Sequence, residues 1–158
     1  MKIFRSIYNF LVVVLVFLSF ACNQGSTEKV IEARYPDDSP KIVKYYKQKG
    51  QTKEVVKEVD YYANKNVRLE GEYKNGQRDG RWVYYYENGN IWSEGFFKAG
   101  LNEGIRTTYY ENGHKRFDGS YKNDQRVGIW RFYDESGKQV NLLDYGNGSK
   151  SPLNQSEK

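Results

Sequence analysis

The chain has 158 residues, 16% of them aromatic, with 15 tyrosines, one histidine and one cysteine. A lone cysteine excludes an internal disulfide, and a lone histidine with no cysteine beside it excludes the common zinc ligand sets. The net charge of +5 is spread in mixed signs, without the clustered lysines and arginines of a nucleic-acid-binding face, so no nucleic acid is expected as partner.

The first segment reads as an export signal. Lys2 and Arg5 precede the unbroken apolar run Phe10 to Leu18, and small residues follow. The stretch is short of the ~20 residues that span a bilayer as a helix, so residues 1–21 are expected to form a cleaved signal helix rather than an anchor. Cys22 stands directly after Ala21, a position that resembles the lipobox of bacterial lipoproteins. That resemblance implies that Cys22 becomes the lipidated first residue of the mature protein. Ser19 and Phe20 depart from the usual lipobox residues, and Ser19-x-Ala21 also suits ordinary cleavage to a soluble form. Residues 22–34 are polar and without period, and read as a tether. Residues 35–145 read as the folded domain and 146–158 as a disordered tail.

Within the domain the chain repeats every 24 residues, from Gly71, Gly95 and Gly119. A unit this short is one supersecondary element that buries its apolar face only by stacking on its neighbours. Tyr, Phe, Trp and Val favour a pleated strand. Asn88-Gly89 and Asn112-Gly113 predict two-residue type I′ hairpin turns, with Ser136-Gly137 and Asn64-Lys65 in the same place. The other links, Asn75–Gly80, Ala99–Gly104 and Asn123–Gly128, read as longer loops closed by glycine. Residues 35–70 look like a degenerate start of the array, in which EVVKEVDYY alternatively makes one short helical turn. The fold expected is all-β: a single-layer antiparallel meander of 24-residue hairpins.

Stacking the repeats aligns residues into columns. Tyr73, Phe97 and Tyr121 make one, Tyr85, Tyr109 and Tyr133 another, and Glu70, Glu94 and Asp118 an acidic one. The acids are expected to pair with arginines such as Arg68 and Arg116 or with lysines, since catalysis needs an asymmetric constellation and these are equivalent positions. Mid-strand glycines 71, 95 and 119 predict an aromatic ring from the neighbouring strand above each. His114, at a turn, is expected to be an exposed turn residue. No catalytic, cofactor or metal site emerges. The candidate partner contacts are Trp82, Trp92 and Trp130, with Arg106 where the middle repeat departs from Trp; the alternative is that these rings are simply the core of a single-layer sheet with no helix to cover it.

The pattern Gly71-Glu72-Tyr73-Lys74-Asn75-Gly76, Gly80, Trp82 and Tyr85-Tyr86-Glu87-Asn88-Gly89, recurring twice, resembles the MORN-type repeat. More narrowly it is similar to the bacterial variant known as the YwqK-type antitoxin component. The resemblance implies an extended β-sheet used for contacts with proteins or lipids. The expected function is a non-catalytic, lipid-anchored interaction protein of the bacterial envelope, facing a protein partner, a lipid or a glycan. The alternative is an antitoxin or immunity-like component that neutralises a specific toxin.

Overall fold

A computed structural model describes residues 26–147. The signal segment, Cys22 and most of the tail lie outside the described residues. The described chain forms one antiparallel sheet that meanders from each strand of its path to the next. The strands are β1 (Thr27–Arg34), β2 (Pro40–Lys49), β3 (Thr52–Tyr61), β4 (Val67–Lys74), β5 (Gln77–Tyr85) and β6 (Ile91–Lys98). They continue as β7 (Leu101–Asn102), β8 (Gly104–Tyr109), β9 (Lys115–Lys122), β10 (Gln125–Tyr133) and β11 (Gln139–Asp144). The short β7 pairs with the end of β6, and β8 then carries the path on to β9. The fold is the all-β meander that the repeat implies, and EVVKEVDYY is strand within β3 up to Tyr61, with Tyr62 just past its end.

Two expectations about this sheet are corrected. The sheet starts at Thr27, not at residue 35: β1 occupies most of the expected tether and pairs with β2 from Thr27↔Lys47 onward. A register shift between Ile31 and Ala33 breaks the alternation of side chains there, which hides the strand in the sequence.

The two kinds of turn are exchanged. The two-residue turn with both positions left-handed is at Asn75-Gly76 (φ 52° and 75°), Ala99-Gly100 (49° and 84°) and Asn123-Asp124 (49° and 65°). At Asn88-Gly89 only Gly89 is left-handed, at φ 91°. Gly89 N–H donates to the Tyr86 carbonyl, and Tyr86 N–H to the Asn90 carbonyl. This is a type I turn followed by a left-handed bulge residue, and it recurs at Tyr35–Ser39, Tyr62–Asn66, Tyr110–His114 and Asp134–Lys138, with Asp38 and Lys65 in the glycine's place in the first two. Asn88 is suited to it because its side chain, not its φ, does the work: Oδ1 accepts the Asn90 N–H at 2.9 Å. Gly80, expected to close a loop, instead sits inside β5 with φ 75°, at a bulge where Glu72 faces Asp79 and Gly71 faces Trp82.

The turns are tied to each other along one side of the sheet. The Tyr62, Tyr86 and Tyr110 hydroxyls donate to the carbonyls of Tyr85, Tyr109 and Tyr133 at 2.7, 2.8 and 2.9 Å. Tyr35 does the same to Tyr61. The next repeat therefore satisfies each turn, as expected of units that are stable only in a stack.

Candidate interaction surface

The two faces of the sheet are built differently. On one face lie Leu69, Trp82 and Phe97, with Tyr73 and Tyr84 packed against them. Trp82 is 0% exposed although the sheet is a single layer. Gly71 explains how. A methyl group on Gly71 would lie 2.1 Å from the indole Cδ2, so only the bare backbone lets the ring lie flat on the neighbouring strand. From above, the Arg78 guanidinium covers the ring at 4.2 Å from its centroid, a cation–π contact. The indole N–H is satisfied by the Glu72 carbonyl at 3.0 Å. The stack of glycine, tryptophan and arginine repeats in full with Gly119, Trp130 and Arg126. There the corresponding distances are 2.2 Å to the indole and 4.5 Å to the guanidinium. Trp130 is likewise 0% exposed, and its N–H donates to the Ser120 carbonyl.

Trp82 and Trp130 are therefore core residues, which corrects their expected place among the surface contacts. Arginines 78 and 126 close the layer that a helix closes in other folds. Trp92 is different: it is 44% exposed and leans edge-on against Tyr84.

The middle tier has other chemistry. Arg106 takes the tryptophan place, half-buried, with Nε, Cζ and Nη2 at 3.1 to 3.3 Å from where a Gly95 methyl would be. The guanidinium is itself planar and lies between Phe97 and Tyr121, 5.6 and 5.8 Å from their centroids. One period before Arg126 and one after Arg78, the lid position holds Asn102. A second guanidinium there would meet the first with like charge; the Asn102 Oδ1 instead accepts from Arg106 Nη2 at 2.5 Å.

On the opposite face runs the acidic column. Glu70 accepts from the Tyr85 hydroxyl and pairs with Lys57. Glu94 accepts from Tyr109 and pairs with Arg81, and Asp118 accepts from Tyr133 and pairs with Lys115 and Arg131. Apart from Lys115, which shares β9 with Asp118, the pairing is cross-strand as expected, through these lysines and arginines. Arg68 pairs with Asp60, and Arg116 stands over the Tyr110 ring. The hydrogen bond from Lys57 holds Glu70 below the usual carboxylate range, and that from Arg81 does the same for Glu94. Burial first, and then the bond to Glu94, pushes Tyr109 up to about 12. His114 is exposed at its turn, with Nδ1 donating to the Glu135 carbonyl at 2.7 Å. Among the described residues, no group of three His, Cys, Asp or Glu side chains is placed to hold a metal ion.

The same face carries an apolar patch that sequence reading missed. Phe96, Ile105 and Ile129 are adjacent in sequence to Phe97, Arg106 and Trp130, and so point the other way. They are 49%, 62% and 45% exposed. Ile105 and Ile129 share an open depression of about 410 Å³ with Thr107, Asp118 and Arg131. The signal was there in the repeat: the position is Arg81 in the first unit, an ion-pair partner, and isoleucine in the next two.

The sheet, its hairpin repeats and the sealed ring layer define a β-repeat scaffold. The sequence matches the MORN repeat variant family over residues 54–75, 78–99, 102–123 and 126–142, just over half of the chain, and the protein belongs to that family. The four matched segments start in β3, β5, at the β7–β8 junction and in β10, so each covers one strand pair of the meander. Repeats of this kind are generally protein- or membrane-interaction modules. No curated protein matches the chain.

Proposed function

We propose that the protein is a non-catalytic interaction module, held to the bacterial envelope by a lipid on Cys22, that meets a protein partner with the Phe96–Ile105–Ile129 face. The observation that carries this reading is the exposed apolar patch on the face opposite the sealed rings. Apolar side chains grouped on one side of a sheet and rimmed by charge mark contact surfaces. The apolar run ahead of Cys22 supports the anchor. Because β1 begins at Thr27, only four residues separate Cys22 from the sheet, which allows a reach of roughly 18 Å at about 3.6 Å per step. The sheet then works close to its membrane.

Affinity capture from envelope fractions tests the face. The full chain retains a partner at defined stoichiometry, and Ile105→Glu with Ile129→Glu loses it while Trp92→Ala keeps it. Equal capture by all three sinks the assignment. Capture of one toxic effector at equal stoichiometry turns the reading into the antitoxin one. Cys22→Ser tests the anchor separately: the protein moves from membrane to soluble fractions and ceases to take up labelled fatty acid. An unchanged distribution contradicts the lipoprotein reading.

A further inference from the structure

The two edges of the sheet are not alike, and they complement each other. One row of facing residues crosses the whole sheet. Val30 faces Lys44, Lys44 faces Glu58, and Glu58 faces Gly71. Gly71 faces Trp82, Trp82 faces Gly95, and Arg106 faces Gly119. Trp130 then faces Leu143 on β11. The links from Gly95 to Arg106 and from Gly119 to Trp130 follow from Glu94 facing Thr107 and Asp118 facing Arg131. The row thus starts on an apolar residue of β1 and ends on an apolar residue of β11.

The path contains ten strands, so β11 runs opposite to β1. A β1 strand from another copy, added beside β11 in the orientation it has in its own sheet, is therefore antiparallel to it. Hydrogen-bonded and non-bonded pairs alternate along such a row. Ten strands make nine pairings, so the first and last are of one kind, and Val30 and Leu143 either both turn their backbone groups into the sheet or both turn them out from its edges. A tenth pairing between them continues the alternation without a slip.

In that register the side chains match. Leu143 faces Val30, and Leu142, 47% exposed, faces Ile31. Asp144 faces Lys29, and neither is in any ion pair among the described residues. Edge strands are usually guarded by lysine, proline or inward charge, and β11, QVNLLD, carries none of these until its last residue. In the sequence, Asn147-Gly148 repeats the phase of Asn75-Gly76, but Pro152 then stands in the place of Gly80, Gly104 and Gly128, and Asn154 in the tryptophan place.

We propose that β11 of one chain adds to β1 of the next, joining copies head to tail in one continuous sheet through Leu143–Val30, Leu142–Ile31 and Asp144–Lys29. The contact is heterologous and does not close, so it makes open rows rather than a fixed dimer. Sedimentation velocity of the full chain in mild detergent at low salt tests it. The wild-type chain forms concentration-dependent dimers and longer species. Lys29→Asp and Asp144→Lys, both at exposed positions, each weaken association by about tenfold. An equimolar mixture of the two variants recovers it, because every mixed contact again joins opposite charges. A wild-type chain that stays monomeric at every concentration overturns the proposal. So does association that both variants retain unchanged, as contact through residues 10–18 produces, or a mixture that recovers nothing.

Discussion

The outer tiers of the ring layer and the middle one solve the same problem with different chemistry. At Trp82 and Trp130 a large apolar plate rests on a glycine and is covered by an arginine. At Arg106 the plate is the cation and the lid is a neutral amide. Plate and lid change together, which shows that the repeat conserves a stacked shape rather than a residue. The outer tiers hold the sheet by burial. The middle tier exchanges much of that burial for a charge beside two aromatic rings, and the exposed isoleucine patch lies directly behind it.

Truncating the plates separates the tiers most strongly. Trp82→Ala or Trp130→Ala destabilises the sheet by about 3 to 5 kcal/mol, since each removes a fully buried ring. Arg106→Ala costs only about 1 kcal/mol, the scale of a half-exposed cation–π contact. Urea unfolding checks the ratio, and equal losses would erase the distinction between the tiers. Adding a methyl beneath the plates gives the next largest effect. Gly71→Ala and Gly119→Ala force the indoles off their strands at a cost of about 2 to 3 kcal/mol. Gly95→Ala changes stability by less than about 1 kcal/mol, because the end of a flexible arginine can give way. Melting temperatures of the three variants order them.

The smallest effect concerns the other face. Glu70 and Glu94 are held below their ordinary 4.5 in the folded chain. Their contribution is present above that value and is lost as pH falls through the lower folded values. Stability therefore declines from about pH 4.5 downward, and Lys57→Met with Arg81→Met flattens that decline. At the alkaline end Tyr109 ionises in the unfolded chain near 10 but in the folded chain near 12, so stability falls across that interval.

Sequence reading reached the meander because the period, the aromatic strands and the turn residues all agree. It also predicted the ring over each mid-strand glycine, and two of the three are rings. It missed what depends on local geometry. Asn-Gly marks both kinds of turn here, once through backbone angles at Asn75-Gly76 and once through the Asn88 side chain, and the dipeptide alone does not tell them apart. It missed β1 because a bulge scrambles its alternation. Trp82 and Trp130 stand among the candidate partner contacts because the sequence alone does not show what covers a single-layer sheet, and the structure decides for the reading that they are core. The cover is Arg78 and Arg126, four residues before each tryptophan. Trp92, without such an arginine, is the one of the three that is exposed.

That difference among three tryptophans is the most direct test of the account. Hydrogen exchange of the indole N–H groups, followed by NMR on the labelled chain, resolves all three. The Trp82 and Trp130 protons, bonded to the Glu72 and Ser120 carbonyls beneath arginine lids, are predicted to exchange slowly, and the Trp92 proton fast. Fast exchange at all three would mean that the ring layer is open, and would contradict the sealed stacks on which the reading of both faces rests.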